Sequence, residues 1–171
     1  MSFLNWEMLI SCNTPHDTAG GDRPRLGQLR TRWDSNGLPS VDIYAYNAVG
    51  STLTVGNFYV IRLTGTEAQR IQVIAAATNT VLNNYVVAAL TAVASTGYGW
   101  FTVYGKVTDA NYTSGAAIAD GDNLELLTSV GTLNENAAAW DGNHCGCALE
   151  ADASDVGDMF LFGMPVAIAG S

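Results

Sequence analysis

Apolar and polar residues alternate in short segments along most of this sequence, and turn residues separate the segments. In the first such segment, Leu29, Thr31 and Trp33 fall on one face and Arg30 and Arg32 on the other. A turn at Asp34-Ser35-Asn36-Gly37 follows it. The pattern recurs in three further segments: residues 41–46, 57–63 and 70–74. A period of two residues is the mark of a β-strand, so the sequence predicts an all-β domain.

Residues 80–94 carry a mixed signal. Their alanines favour a helix, whereas Val86, Val87, Val93 and the flanking Asn83-Asn84 favour a strand. We predict a strand here.

Residues 99–107 predict a strong strand. Alternation places Trp100, Thr102, Tyr104 and Lys106 on one side, with Phe101, Val103 and Val107 on the other. Glycines within or next to strands occur at bulges, bends or close backbone approaches, and we expect these at Gly97, Gly99 and Gly105.

The C-terminal third predicts further strands and no capped helix. Asp120-Gly121-Asp122-Asn123 is typical of a turn that leads into a strand over residues 124–127. A segment at 146–151 and a turn at 152–158 come next. A final strand is expected over residues 159–168, bent by Gly163 and Pro165.

The first 25 residues lack clear periodicity, and we interpret them as an N-terminal arm ahead of a domain spanning 26–171. A turn-rich stretch at 13–22 follows the arm's apolar start. No basic segment precedes the apolar residues, so a signal peptide is not expected and the compartment is expected to be the cytoplasm. The apolar side chains at the start of the arm are Phe3, Leu4, Trp6, Met8 and Leu9.

Charge argues against two classes of partner. The 171 residues carry 7 Lys plus Arg against 16 Asp plus Glu, a net charge of -9. Lys106 is the single lysine and is accompanied by only six arginines, which leaves little to neutralise a run of phosphates, so nucleic acid and anionic membrane are poor partners. No apolar stretch reaches the roughly 20 residues of a membrane span.

Two clusters contain residue types that bind metals, and neither is predicted to be a metal site. His144-Cys145-Gly146-Cys147 lacks a second ligand pair beyond Cys12 or His16, and its cysteines are interpreted as reduced, small apolar side chains. We expect Cys145 and Cys147 to face the same side of a strand. The carboxylates of Asp120, Asp122 and Glu125 lack the spacing of a calcium loop and are typical of a solvated turn, although a weak ion site stays open.

No constellation for catalysis is apparent. Only His16 and His144 are available as a histidine base, and no Gly-x-Ser-x-Gly motif is present. The acidic residues Glu150, Asp152, Asp155 and Asp158 are typical of an exposed loop. A carboxylate pair dispersed along the chain stays open, but we predict no enzyme and no cofactor.

Aromatic residues raise an alternative function. The four tryptophans, together with Tyr44 and Tyr46, suit a platform on which sugar rings stack. Aromatic residues on strands are more often core or subunit-interface residues. The tryptophans are Trp6, Trp33, Trp100 and Trp140.

The segment Gly97-Tyr98-Gly99-Trp100-Phe101-Thr102-Val103-Tyr104-Gly105-Lys106-Val107 resembles the core of the small capsid decoration (cement) proteins of tailed bacteriophages. Four flanking pieces are similar in order, and the likeness covers roughly residues 26–168. They are Leu26-Gly27-Gln28-Leu29, Tyr44-Ala45-Tyr46-Asn47-Ala48 with Leu53 and Gly56, Ile118 with Gly121-Asp122, and Gly146-Cys147-Ala148-Leu149-Glu150-Ala151.

This resemblance implies a compact antiparallel β-barrel or β-tulip with an extended N-terminal arm, commonly a homotrimer on the outside of the capsid. The implied partners are the major capsid protein and further copies of this chain, after synthesis in the host cytoplasm. The motif residues Gly97, Gly99, Trp100, Tyr104 and Gly105 would then belong to the trimer-forming barrel. The apolar arm residues would anchor on a neighbouring subunit or on the capsid protein, and the alternative is an arm that packs on its own barrel. These arm residues are Phe3, Leu4, Trp6, Met8 and Leu9. The alternative is a glycan-binding module for host recognition, of the tail-fibre type.

Overall fold

The structure, a computed structural model, describes residues 24–63, 69–75, 84–127, 131–136, 144–163 and 165–166. Within these ranges the chain forms β-strands and turns, and no α-helix. No helix in the described part of the chain has the length and apolar character needed to cross a membrane. Residues 1–23 of the arm, which include its five proposed contact residues, lie outside the described ranges.

The described residues contain eleven strands. They are β1 (Leu29–Trp33), β2 (Pro39–Asn47), β3 (Phe58–Leu63), β4 (Ile71–Ile74), β5 (Asn84–Ala89), β6 (Tyr98–Asn111), β7 (Asn123–Leu126), β8 (Leu133–Glu135), β9 (His144–Ala148), β10 (Val156–Leu161) and β11 (Pro165–Val166).

Five strands close into a barrel. The pairing runs β2-β4-β3-β5-β6, and β6 pairs back onto β2. All pairs in the ring are antiparallel except β2 with β4, which is parallel. Because each strand sends every second side chain inward, the barrel fills with apolar groups. Its interior contains Ala45, Leu53, Tyr59, Val73, Val87, Ala89, Val93 and Phe101.

A second sheet extends from the same long strand. The order β6-β10-β9-β7-β8 begins on the C-terminal half of β6, while β1 pairs with β2 and β11 with β5. The side chains of β3 and β5 that point out of the barrel pack against the second sheet and form one core with it. That core includes Phe58, Val60, Val86, Ala88, Leu124, Leu133, Met159 and Leu161. Strand β6 therefore holds the barrel and the second sheet together.

The all-β prediction is confirmed, and so are its principal elements. Strands occur in each of the first four predicted segments, and the ambiguous residues 80–94 contain β5. The turn after β1 is closed by Asp34, whose Oδ1 accepts hydrogen bonds from the backbone N–H groups of Asn36 and Leu38 at 2.9 and 2.8 Å. Gly37 there has a φ of 76°.

The prediction for the last strand was wrong in its bounds. β10 begins at Val156, inside the predicted turn, and ends at Leu161. β11 then pairs with β5 rather than continuing along β6. The physical reason lies at Gly163, whose φ of 67° turns the chain from one sheet to the other.

The side assignment of Tyr104 was also wrong. Thr102 lies opposite Asp42, but Tyr104 lies opposite Val41, so Val103 is an extra residue in β6. Adjacent residues of β2 point to opposite faces, and a β-bulge therefore moves Tyr104 to the other face from Thr102. The ring of Tyr104 packs edge-on against Phe160, with centroids 5.2 Å apart.

The predicted close approach at a motif glycine is confirmed at Gly105. Its φ is 103°, and a Cβ on this residue would lie 2.6 Å from the Cα of Ser40 and closer still to the carbonyl oxygen of Pro39. Gly105 also pairs with Leu161 of β10. The glycine thus allows β6 to leave β2 and enter the second sheet.

Candidate functional site

The outer wall of the barrel where β2 meets β6 carries an aromatic cluster. Tyr44, Tyr46, Tyr98 and Trp100 share this face because Tyr44 is opposite Trp100 and Tyr46 is opposite Tyr98. The ring centroids of Tyr44 and Trp100 are 5.3 Å apart, and those of Tyr46 and Tyr98 are 5.2 Å apart. Such tilted ring pairs stabilise the join between the two strands beyond the burial of their area.

A buried carboxylate continues this face. Asp42 is fully buried, and its Oδ2 accepts hydrogen bonds from Arg30 Nε at 2.9 Å and Arg32 Nε at 2.6 Å. Its Oδ1 accepts from Arg32 Nη2 at 3.2 Å and from Thr102 Oγ1 at 3.0 Å. Arg30 also lies over the ring of Trp100, 4.3 Å from the centroid. We call Arg30, Arg32, Asp42 and Trp100 the arginine face.

Asp42 does not stand out as a site residue in the sequence alone. A signal was present, because Arg30 and Arg32 alternate on one strand and Asp42 lies on the next strand, after a five-residue connection. Folding that hairpin pairs Arg30 with Asp42. The contact of the arginines with Asp42 depends on the register in which the two strands pair. The register is a property of the folded hairpin and not of either strand alone.

The residues considered for a sugar platform do not form one open surface. Tyr44 and Tyr46 are buried, and Arg30 covers one side of Trp100. Trp33 lies on the opposite face of the β1–β2 hairpin from Arg30, and it is 68% exposed. Trp6 and Trp140 lie outside the described residues. The described cluster is therefore packed as a strand junction.

The prediction that Cys145 and Cys147 face the same side was wrong. Leu124 lies opposite Gly146 and Glu125 opposite His144, which makes Cys145 an extra residue in β9. The bulge turns Cys145 into the core beneath the second sheet, while Cys147 stays outside that core and is partly exposed. Both are free thiols, as expected.

In the described ranges, no group of three or more His, Cys, Asp or Glu side chains is arranged to hold a metal ion. Asp122 instead closes its own turn, with Oδ2 accepting from the backbone N–H of Ala119 at 2.7 Å. Glu125 accepts a hydrogen bond from Asn136 Nδ2 at 3.3 Å. Cys12 and His16 lie outside the described residues.

The acidic residues near the C-terminus support the local turns. Oxygens of Glu150, Asp152 and Asp155 accept backbone hydrogen bonds at 3.0, 3.1 and 3.1 Å from the N–H groups of Asp158, Val156 and Gly115. Asp158 pairs with Lys106 at 2.5 Å. A side-chain hydrogen bond from Lys106 to Asp158 raises the pKa of the lysine.

The two described thiols differ in their chemical surroundings. Burial raises the pKa of Cys145 to about 12, and its Sγ donates to the carbonyl oxygen of Leu124 at 3.3 Å. Burial also raises the pKa of Cys147, with a contribution from Asp120. Because the thiolate is the reactive form, both thiols are less reactive than a free cysteine.

We expect iodoacetamide at about pH 8 to label Cys147 before Cys145, since Cys147 is partly exposed in the folded state and Cys145 is buried. Peptide mass spectrometry after timed quenching measures each site. Between pH 9 and about 12, the folded state keeps the proton of the Cys145 thiol, whereas the unfolded state, in which this thiol has a pKa of 9.0, loses it. The preference of the folded state for the neutral Cys145 thiol therefore stabilises the protein fully below pH 9, and this stabilisation is lost as pH rises towards about 12. Equal labelling rates for the two thiols would contradict the assignment.

Comparison with protein-family models finds no match to this chain, and no curated protein matches it. Among solved structures, the chain is similar to the N base of the head fiber gp8.5 of bacteriophage phi29. The TM-score is 0.48 and the sequence identity 18%, over 75% of this chain and 98% of that one. The fold of this chain is assigned from its own strand pairings and not from this similarity.

Proposed function

We propose that this protein is a structural component of a phage virion that binds the outside of the capsid and stabilises it. In this proposal the partners are the major capsid protein and further copies of the chain, arranged as a homotrimer. The protein is made in the host cytoplasm and acts on the virion surface. It has no enzymatic role and needs no cofactor, nucleic acid or membrane.

The observation that carries the proposal is how the resembling segments pair. The piece Tyr44-Ala45-Tyr46 and the motif beginning at Gly97 are about fifty residues apart in the sequence. In the structure they are direct neighbours, with Ala45 opposite Gly99, and they close the barrel. The separate pieces of the resemblance therefore belong to one structural unit, which supports the decoration-protein interpretation.

The barrel suits a structural role because its strands are paired around the ring. Closing a sheet on itself removes the free edges through which β-proteins aggregate. A subunit that binds the assembled shell, but not the dissociated shell, stabilises the shell in proportion to occupancy. Modest contacts at each site suffice when the shell repeats the site many times.

Several large apolar side chains are exposed on the described surface and are available for contacts with neighbours. Leu63 is 72% exposed and Trp33 is 68% exposed. Val55 and Tyr85 are 48% and 45% exposed. Contiguous apolar patches mark interaction surfaces, whereas single exposed apolar residues are normal, so these side chains suit contact with a neighbour without specifying one.

Co-sedimentation of the purified protein with capsids that lack it tests this function. We expect saturable binding and a higher temperature for capsid disruption. Light scattering of the free protein measures its mass, and a trimer is expected. A folded protein that does not bind capsids would contradict the proposal and would make glycan binding the next property to test on an array.

The arm is proposed to anchor the protein, so deletion of residues 2–10 should weaken capsid binding. The expected loss is about tenfold or more, because buried aromatic and apolar anchors dominate interface energies. A matched control replaces Ser51 and Thr91, both exposed, by alanine and leaves the arm intact. Unchanged capsid binding by the deletion variant would instead favour an arm that packs on its own barrel.

A further inference from the structure

The arginine face carries one more positive charge than its own carboxylate neutralises. Two guanidinium groups share Asp42, and each arginine side chain is 39% exposed. Arg30 uses only Nε in its bond to Asp42, and Arg32 uses Nε and Nη2. Within the described part of the chain, no hydrogen bond is seen to either Nη of Arg30 or to Nη1 of Arg32. These N–H groups are therefore available to a second carboxylate, which guanidinium binds in a two-point geometry.

The chain carries a complementary acidic patch at a different place. The turn segments at 118–122 and 148–155 lie side by side, joined by backbone hydrogen bonds from Gly121 N–H to Ala148 and from Asp152 N–H to Ile118 at 3.0 and 2.9 Å. We call their five carboxylates the acidic turns: Asp120, Asp122, Glu150, Asp152 and Asp155.

Strand β6 separates the two charged surfaces. Thr102 hydrogen-bonds to Asp42 at the arginine face, whereas Asn111 lies opposite Val156 next to the acidic turns. Among the described residues, the only ion pair in which an acidic residue of this region takes part is Asp158 with Lys106. Within the described residues, no carboxylate of the acidic turns therefore pairs with Arg30 or Arg32 of the same subunit.

We propose that the acidic turns of one copy of this chain dock on the arginine face of the next, forming a closed ring of identical subunits. Because two different surfaces meet, the contact is head-to-tail, and such a contact closes into a ring when its rotation permits. The arginine face also offers Trp100, and Trp, Tyr and Arg are the residues most enriched at the energetic centres of interfaces. This inference rests on the proposed homotrimer and names the surfaces that form it.

The test compares two variants of the full chain with the same net charge. Asp120→Asn with Glu150→Gln removes two exposed carboxylates from the acidic turns, and the control Ser51→Lys with Thr91→Lys adds two charges at exposed positions elsewhere. Sedimentation velocity measures self-association, and circular dichroism verifies the fold. We expect association at least about tenfold weaker for the first variant than for the control. Wild-type association should also weaken when salt rises from about 0.05 to about 0.5 M.

A second variant examines the other surface. Arg30→Gln removes the more available guanidinium while Arg32 still neutralises Asp42, and we expect the same weakening. Equal association of the Asp120/Glu150 variant and its control, or a wild-type protein that stays monomeric at low salt, would overturn the inference. Co-sedimentation with capsids on the same samples separates the two proposals, since a monomer that binds capsids rejects the ring and retains the capsid function.

Discussion

Replacing both Arg30 and Arg32 by methionine should reduce the free energy of unfolding by about 3–5 kcal/mol. The substitutions leave Asp42, which is fully buried, with Thr102 as its remaining described side-chain hydrogen-bond donor. A buried charge without a counter-ion is costly because it has lost its hydration. Urea denaturation measures the effect, with an unchanged m-value indicating that the unfolding transition remains comparable.

Two further variants test the cause of this loss. Adding Asp42→Val to the double variant should recover most of the lost stability, because the buried charge is then absent. Lys106→Met serves as the control, since it breaks a partly exposed ion pair with Asp158 and should cost about 1 kcal/mol or less. A double arginine variant that is no less stable than the Lys106→Met variant would show that Asp42 does not depend on its cations.

Gly105→Ala should destabilise the protein by several kcal/mol. The backbone there has a φ of 103°, which costs a residue with a Cβ about 1–3 kcal/mol. The added methyl group also meets the backbone of Pro39 and Ser40, and forced overpacking adds about 1–3 kcal/mol. Because Pro39 and Ser40 contribute backbone atoms, the clash cannot be relieved by rotating a side chain. Thermal and urea unfolding measure the loss.

Gly115→Ala is the matched control for this substitution. Its φ is also positive, at 79°, but no atom lies within 4 Å of the position that its Cβ would take. We expect a cost of about 1–2 kcal/mol from backbone strain alone. The difference between the two variants therefore measures the close approach of β6 to β2. Equal losses would mean that strain, and not proximity, requires the glycine.

Parts of the candidate site followed from the sequence and parts did not. Alternation correctly placed Trp100 and Thr102 on one face, since a regular strand repeats every two residues. It failed for Tyr104 and for Cys145, because a single extra residue at each bulge reverses or rotates the side chains that follow. Bulges depend on the partner strand, so a local pattern gives no reliable sign of them.

The sequence by itself determined the class of the fold and most of its strands, because burying one face of a strand imposes a two-residue pattern on its own residues. The turn after β1 was equally local, being built from Asp34 and Gly37. Only the tertiary structure decided that β6 would pair with β2 to close the barrel and then continue into a second sheet. It also decided that Asp42 would be buried between two arginines. These contacts join residues ten to sixty positions apart, and their free energy depends on register and chain path, which no short segment specifies.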